Sequence, residues 1–527
     1  MAPRLNHGQL LGISALGGVV VALGFTPTWW WWLLPLGVSA FYLVALLARP
    51  RFALLCGAVF GFVFNLITFR WIDVRGVYVM VALAVFMSLW YALVALVVSA
   101  LRQTKIWGFA GIAAWMGMEW LCARVPFGGF GWGRLAYTMA ESPLRGLYPL
   151  VGSTGVSLLI VAFCVTGTWM VLPLVKGERK TPGRTPLLSG AVILLVSFAG
   201  GIGGQWYDPG ASGGQYTVAV VQGNVPGVGI HALGPRYTVE NNHLAQTIIL
   251  AARIRTGQVD QPDFVVWPEN STSTDPDRDP RTARAISTSL DLVQVPILVG
   301  AITTGPKEDE RQVTGQWWTA DGVTAFYSKR NLVPFGEYVP LRSFFEPLVP
   351  DLVYAGVAVP GVGPGVLVVE MAGEELRVGD LICFELAYDA TVDDVLKPPG
   401  RPGAQIVVVQ TSNAPFTGSN QIDHQRQITL VRAMESRREI LISTTNSVAG
   451  LIDNHGRPVY EAQPRTSDVQ VFTVPLRTHL TPAIAYRGWF DLASVTLPLL
   501  GCLFLGIRHR RTIPGEPSTV EEVTDEP

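Results

Sequence analysis

The stretch LRVGDLICFE, residues Leu376–Glu385, carries an apolar run that ends in a cysteine. The run Leu376–Cys383 predicts a buried β-strand, because it is short, apolar and rich in branched residues. Two other apolar runs end in the same manner, since VVWPE ends at Glu269 and AFYSK ends at Lys329. A cysteine, a glutamate and a lysine that each follow a predicted strand are therefore the first candidates for a shared site.

Each of these three residues also has an ordinary structural explanation. Glu269 can be a solvated loop carboxylate, Lys329 a surface lysine whose stem covers apolar residues, and Cys383 a buried, inert thiol. Composition alone favours the inert explanation for Cys383, although the other four cysteines lie in membrane-type apolar stretches and this one lies in the polar middle of the chain. An unpaired cysteine that faces an oxidising compartment is a candidate reactive thiol.

The middle of the chain, residues 205–486, alternates strand and helix patterns. Helical patterns near 238–256, 280–293 and 421–437 separate the apolar, β-branched runs. Strands that alternate with helices predict a layered α/β domain. The predicted strands are Tyr216–Val221, Phe264–Trp267, Pro296–Ile302, Val323–Tyr327, Leu376–Cys383, Ile406–Val409, Ile440–Thr444 and Val469–Val474.

The remainder of the chain has the composition of membrane helices. Of the 527 residues, 49% are hydrophobic and 15% are charged, whereas a soluble protein has about a quarter charged residues. The charged residues are scarce in 1–204 and 487–507, where apolar stretches approach the roughly 20 residues that cross a bilayer. We therefore predict about eight transmembrane helices, at 8–25, 29–48, 52–69, 77–101, 106–123, 151–175, 187–204 and 487–507.

Positive charges in the short loops predict the orientation of these helices. If the N-terminus is cytoplasmic, the inside segments hold twelve Lys and Arg residues and the outside loops hold five, as the positive-inside rule requires. This predicts seven helices in 1–204, an extracytoplasmic domain in 205–486 and an eighth helix in 487–507. The last segment, 508–527, is predicted to be a disordered cytoplasmic tail, because it is rich in proline and acidic residues.

The three strand-end residues form a chemically sensible set. A thiol is a weak nucleophile until a base removes its proton, and Glu269 can be that base. Lys329 can lower the pKa of the thiol and stabilise an oxyanion, together with the backbone N–H of Phe384. The region lacks His and Cys pairs at zinc-binding spacing, so no metal is expected. A net charge of −1 gives no reason to expect nucleic acid as a partner.

The order Glu269, Lys329, Cys383 resembles the signature of the carbon–nitrogen hydrolase (nitrilase) superfamily. Along most of its length, about residues 10–507, the chain also resembles the bacterial apolipoprotein N-acyltransferases, which carry such a domain on membrane helices. One departure is Phe384, where many members have Tyr. The motifs that carry the second resemblance are LVPFGEYVP at 332–340, QGN at 222–224, GFGW at 129–132, LYPLVG at 147–152 and GVS at 155–157.

The resemblance implies an αββα sandwich for 205–486 and a two-step acyl transfer without a cofactor. Cys383 would take an acyl chain from a membrane phospholipid and pass it to the α-amino group of the N-terminal diacylglyceryl-cysteine of a lipoprotein. Glu337 and Glu385 would orient Lys329. The implied location is the bacterial cytoplasmic (inner) membrane, with the catalytic domain outside.

Two other functions are compatible with parts of the sequence. A membrane-tethered nitrilase-type amidohydrolase would use the same three residues with water as the acceptor. A transporter would need ionisable groups near the middle of the bilayer, and the chain has few of them. The amidohydrolase is therefore the main alternative to the acyltransferase.

Overall fold

A computed structural model describes residues 5–177, 184–227, 229, 232, 234–347 and 356–511 of the chain. The tail predicted at 508–527 lies outside the described residues from 512 onwards. In chain order the helices are α1 His7–Ala22, α2 Leu34–Leu47, α3 Pro50–Thr68, α4 Val77–Ala100, α5 Trp107–Cys122, α6 Tyr148–Val175, α7 Arg184–Gln205, α8 Thr238–Arg255, α9 Pro280–Val293, α10 Arg342–Phe345, α11 Asp389–Leu396, α12 Gln421–Ser436, α13 Pro482–Ala485 and α14 Arg487–Arg511.

A helix occupies each of the eight apolar stretches, but the helices differ in length. Five segments are long and apolar enough to cross a membrane, and they contain α3, α4, α6, α7 and α14. The helices α1 and α2 are apolar but shorter, and α5 has 16 residues, which rise only about 24 Å. In the described part of the chain, five helices rather than the predicted eight or so are therefore long enough to cross a membrane. The predicted stretches are longer than the helices because they include non-helical residues such as Trp29 and Trp30.

Two glycines allow α3 and α4 to pack closely. A Cβ atom on Gly57 would lie 2.6 Å from the carbonyl oxygen of Tyr91, and one on Gly61 would lie 2.6 Å from the Tyr91 ring. Small residues are common where membrane helices approach each other, since lipid provides no hydrophobic force between them. The short 3₁₀ turn Arg70–Arg75 connects the two helices and carries Trp71.

The region 205–486 forms two six-stranded sheets that pack face to face. Val266 and Trp317 of the first sheet meet Val378 and Leu441 of the second in an apolar layer. The helices α8 and α9 cover the outer face of the first sheet, and α11 and α12 cover the outer face of the second. The domain is therefore a two-sheet α/β sandwich with helices on both sides, as expected.

The two sheets contain twelve strands in the described part of the chain. They are β1 Gln215–Gln222, β2 Phe264–Val266, β3 Ile297–Thr304, β4 Arg311–Thr319, β5 Gly322–Ser328, β6 Val366–Met371, β7 Glu374–Ile382, β8 Ile406–Thr411, β9 Ile440–Thr444, β10 Gly450–Ile452, β11 Pro458–Glu461 and β12 Asp468–Pro475. The first sheet has the order β12-β1-β2-β3-β4-β5 and the second β11-β10-β9-β8-β7-β6. Parallel strands lie at the centre of each sheet, namely β1, β2 and β3 in the first and β7, β8 and β9 in the second.

Candidate active site

The structure brings Glu269 and Lys329 together and places Cys383 in the same electrostatic environment. Glu269 follows β2, Lys329 follows β5 and Cys383 follows β7, so each lies at the carboxyl end of its strand. Cys383 has φ of +54° and begins a short 3₁₀ turn, Cys383–Ala387. A non-glycine residue in the left-handed region is strained, and such strain is common at nucleophiles held on sharp turns.

Lys329 is fully buried and bridges two carboxylates. Its Nζ donates to Glu269 Oε1 at 2.9 Å and to Glu337 Oε1 at 2.7 Å. Burial lowers the pKa of Lys329, but Glu269 and Glu337 outweigh this and raise it well above its usual value. The Lys329 ammonium is shared by the two carboxylates. Burial raises the pKa of Glu269, while Lys329 and the backbone N–H of Ser412 lower it without cancelling the effect of burial. The cluster therefore holds a permanent cation beside a carboxylate that takes up a proton readily.

The thiol of Cys383 is protonated in the resting protein. Burial raises its pKa to about 12, and the negative charge of Glu269 adds to this effect. Lys329 and a hydrogen bond with Thr411 act in the opposite direction. Because the thiolate is the nucleophilic form, this thiol becomes a nucleophile only when a base removes its proton.

Glu385 holds the lysine segment against the cysteine turn. Its Oε1 accepts from the Tyr327 hydroxyl at 2.7 Å and from the backbone N–H groups of Arg330 and Asn331 at 2.7 and 3.1 Å. Its Oε2 accepts from the N–H of Ile382 at 3.0 Å. These bonds fix the backbone on both sides of the site, so Glu385 acts on the position of Lys329 through the chain and not through its ammonium group.

Phe384, next to the thiol, rests on the loop between α5 and α6. Its ring stacks on Trp132 with centroids 5.3 Å apart and on Phe130 at 6.1 Å. The hydroxyl of Tyr388, just beyond the turn, donates to the carbonyl of Gly129 at 3.1 Å. The loop between α5 and α6, in the membrane half of the chain, is thus in direct contact with the cysteine turn.

The contacts extend into a cluster that we call the aromatic floor, formed by Trp71, Phe130, Trp132, Phe384 and Phe416. Trp71 lies 5.3 Å from Trp132 and 5.3 Å from Phe416, centroid to centroid. Sequence reasoning did not select Trp71, because it lies in a short connecting turn far from the site in the chain. The aromatic floor thus places an apolar cluster beside the Cys383 turn.

A buried group of charges joins the catalytic domain to the membrane helices. Asp389 contacts Arg134 at 2.9 Å, Arg432 at 2.8 Å and Arg487 at 3.2 Å. These arginines come from the α5–α6 loop, from α12 and from the start of α14. Burial raises the pKa of Asp389, but Arg134 and its neighbours hold it well below its usual range. The paired charges therefore fix the turn after Cys383 relative to three separate elements.

In the described part of the chain, no group of three or more His, Cys, Asp or Glu residues is placed to hold a metal ion.

The protein is a two-sheet α/β sandwich carried on apolar helices, with a glutamate, a lysine and a cysteine at its strand ends. These features define a membrane-bound enzyme of the carbon–nitrogen hydrolase class. The family model for carbon–nitrogen hydrolases matches residues 217–481, and the model for the N-terminal domain of apolipoprotein N-acyltransferases matches residues 17–166. The chain belongs to the carbon–nitrogen hydrolase family and, within it, to the apolipoprotein N-acyltransferases. It is a membrane protein of bacterial type.

Curated relatives agree with this assignment. An apolipoprotein N-acyltransferase of Mycolicibacterium smegmatis is 30% identical over 71% of this chain, and the match covers 64% of that relative. One from Azotobacter vinelandii is 28% identical over 96% of this chain and 97% of the relative. A solved carbon–nitrogen hydrolase superfamily protein from Xanthomonas campestris, with an arsenic adduct in its active site, is 18% identical, covers 54% of this chain and 97% of its own, and has a TM-score of 0.34.

Proposed function

We propose that the chain moves an acyl group from a membrane phospholipid to the α-amino group of a diacylglyceryl-modified lipoprotein cysteine, through a thioester on Cys383. Its family identifies it as an acyltransferase of lipoprotein biosynthesis, and the proposal adds the route and the residues. The observation that carries it is the position of the Cys383 turn. The charges of the buried pair of Lys329 with Glu269 act on Cys383, and the ring of Phe384, the next residue, stacks on Trp132 from the membrane half of the chain.

In the first half-reaction, the sulfur of Cys383 attacks an ester carbonyl of the phospholipid while Glu269 takes the thiol proton. The negative charge on the carbonyl oxygen is stabilised by Lys329 and by the backbone N–H of Phe384. The C–O bond of the ester then breaks, and Glu269 returns the proton to the leaving alkoxide. The products are a lysophospholipid and the thioester.

In the second half-reaction, the lipoprotein amine attacks the thioester carbonyl. Glu269 accepts a proton from the attacking nitrogen, and Lys329 again stabilises the oxyanion. The C–S bond breaks, the sulfur regains a proton and an amide forms. Both carboxylates of the cluster support this cycle, because the second one, Glu337, keeps Lys329 charged when Glu269 is protonated.

The aromatic floor favours the transferase over the amidohydrolase alternative. Trp132 and Trp71 are buried beside the cysteine turn, and an apolar surface there excludes water that would otherwise hydrolyse the thioester. An amidohydrolase would instead need an open, polar pocket at this position. The proposal therefore assigns the acyl chain to the aromatic floor.

Single-turnover release of a labelled acyl chain tests this choice. Enzyme acylated at Cys383 is mixed with a diacylglyceryl-cysteine peptide, with the same peptide acetylated on its amine, or with buffer. We expect rapid discharge only with the free amine, and Cys383→Ala provides the control without an acyl-enzyme. Release of free fatty acid at one rate in all three mixtures would establish water as the acceptor and replace the acyltransferase mechanism.

The proposed location is the bacterial inner membrane with cytoplasmic termini, eight spans and residues 205–486 outside. It is supported by the loop charges and by the helix in each apolar stretch, including α1, α2 and α5. Reporter fusions after Asn241 and after Gly515 test it. The first should report an external position and the second a cytoplasmic one, and a cytoplasmic signal at Asn241 would refute this topology.

A further inference from the structure

Asp380 is a carboxyl group placed in the apolar layer between the two sheets. It lies on β7, its side chain is 0% exposed, and neither carboxyl oxygen has a hydrogen-bond partner. The two neighbouring acids, in contrast, both have partners. Glu269 is paired with Lys329, and Glu385 accepts hydrogen bonds from Tyr327 and from backbone N–H groups. An ionised carboxylate at Asp380 would be buried without a cation or a donor, which is among the most costly arrangements in a protein.

The side chain of Gln410 shares the space next to Asp380. A Cβ atom on Gly315 would lie 1.9 Å from Asp380 Oδ2 and 2.8 Å from Gln410 Oε1, so both oxygens border one small space left by this glycine on β4. The orientation of the Gln410 amide is determined, because its Nε2 donates to the carbonyl of Trp267 at 2.5 Å. Its Oε1 therefore remains an acceptor, and it too lacks a partner. Two adjacent oxygen acceptors are satisfied only if one of them carries a proton.

We propose that Asp380 is protonated at neutral pH and donates a hydrogen bond to Gln410, which makes it a positioning residue for Glu269. The resulting chain runs from the Asp380 hydroxyl to Gln410 Oε1, and from Gln410 Nε2 to the carbonyl of Trp267. That carbonyl begins the turn Trp267-Pro268-Glu269, so the chain holds the backbone from which Glu269 projects. This inference rests on the proposed role of Glu269 as the base.

The groups that face Asp380 favour its neutral form. Burial raises the pKa of Asp380 well above its usual value, and the negative charges of Glu385 and Glu269 raise it further. Tyr327, whose hydroxyl is bound to Glu385, is a further titratable neighbour and stays neutral because burial raises its pKa as well. A neutral Asp380 in turn adds no negative charge beside Glu269, which must lose its own proton to act as a base.

Two substitutions at Asp380 separate this role from simple packing. Asp380→Leu keeps the branching at Cγ but is larger and has no donor, so Gln410 Oε1 stays unsatisfied and the Glu269 turn loses its support. We expect acyl-enzyme formation to slow by about tenfold to 10²-fold, which is typical when a catalytic group is slightly misplaced. Asp380→Asn supplies an N–H donor without a charge, so it should restore most of the rate with an unchanged pH profile. Thermal unfolding of both variants reports whether each is folded.

An infrared measurement tests the proton itself without turnover. In a Cys383→Ala background, the protein should show the C=O band of a buried carboxylic acid that does not titrate while the protein is folded, and Asp380→Asn should remove it. Absence of that band would overturn the proposal. So would any of three kinetic results: a rate for Asp380→Asn as low as that of Asp380→Leu, a shift of the acid limb of the pH–rate profile in Asp380→Asn, or an unchanged rate in Asp380→Leu. If Cys383→Ala itself retained acyl transfer, the proposed function would fail while the infrared result would still stand.

Discussion

Replacement of Lys329 by methionine removes the central charge of the site while keeping most of the side-chain volume. In the wild-type protein the ammonium lies 2.9 Å from Glu269 and 2.7 Å from Glu337, and the lysine side chain is 0% exposed. Its loss leaves the buried carboxylate of Glu269 and the partly buried carboxylate of Glu337 without this cation. Breaking a buried ion pair by removing one partner typically costs about 3–5 kcal/mol of folding free energy, and proton uptake by one carboxylate limits this cost.

The effect on catalysis has two parts. The oxyanion loses its cation, which typically reduces the rate by about 10²–10³-fold. The second part concerns the base, because Lys329 lowers the pKa of Glu269 against the effect of burial. Without the lysine that pKa rises further, Glu269 is protonated over a wider range, and the residual activity should increase with pH over a range shifted upward from that of the wild-type protein.

The assay is intact-mass detection of the acyl-enzyme after mixing with phospholipid in detergent micelles, over a series of times and pH values. Lys307→Met is the matched control, because Lys307 is 76% exposed and pairs with Glu310 at the surface. Exposed pairs contribute only about 0–1 kcal/mol, so this variant should acylate at the wild-type rate. Acyl-enzyme formation by Lys329→Met at the wild-type rate would refute the role assigned to the buried cation.

Three further predictions concern the nucleophile and the base. Cys383→Ala should form no acyl-enzyme and Cys383→Ser should lose most activity, because an alkoxide forms far less readily than a thiolate; normal turnover by the alanine variant would exclude the thioester. Glu269→Gln should slow acylation by about 10²–10⁴-fold while phospholipid binding, measured by co-purified lipid, stays unchanged; an equal loss of lipid binding would contradict a role in proton transfer. The wild-type rate should rise as pH increases through the pKa of Glu269, which burial raises above 4.5. No second rise is expected near pH 9, because burial raises the pKa of Cys383 to about 12. A second rise of the rate near pH 9 would show that the resting thiol ionises before it attacks.

The strands that position the site could be predicted because their patterns are strong. The runs before Glu269, Lys329 and Cys383 are apolar, short and followed by a polar residue, and all three form strands with those bounds to within a few residues. Four strands were not predicted, namely β4, β6, β10 and β11. The strand β4, Arg311–Thr319, mixes polar and apolar residues around Gly315, and its role depends on neighbours that are distant in the chain.

Other features of the site depend on contacts that a linear pattern does not contain. The backbone N–H of Ser412 binds Glu269 at 2.7 Å, and a backbone donor has no signature in the residue type. Glu385 is next but one to the cysteine, yet its partners come from the segment after Lys329. Asp380 occurs in an apolar run, and its environment forms only when the first sheet closes over it. Sequence patterns thus identified the candidate residues, while the packing of the two sheets determined how they are held.

The aromatic floor has a practical consequence for anyone who wishes to isolate the catalytic domain. Phe384 and Phe416 belong to residues 205–486, but Trp71, Phe130 and Trp132 come from the membrane half of the chain. A soluble fragment cut at 205 and 486 would expose a hydrophobic patch directly beside Cys383, and such patches promote aggregation. Any thioester formed on the fragment would also be open to bulk water. Activity of such a fragment in a hydrolysis screen would thus report a different reaction from that of the intact enzyme. Inhibitors selected against the fragment would bind a surface that the membrane half covers in the intact protein.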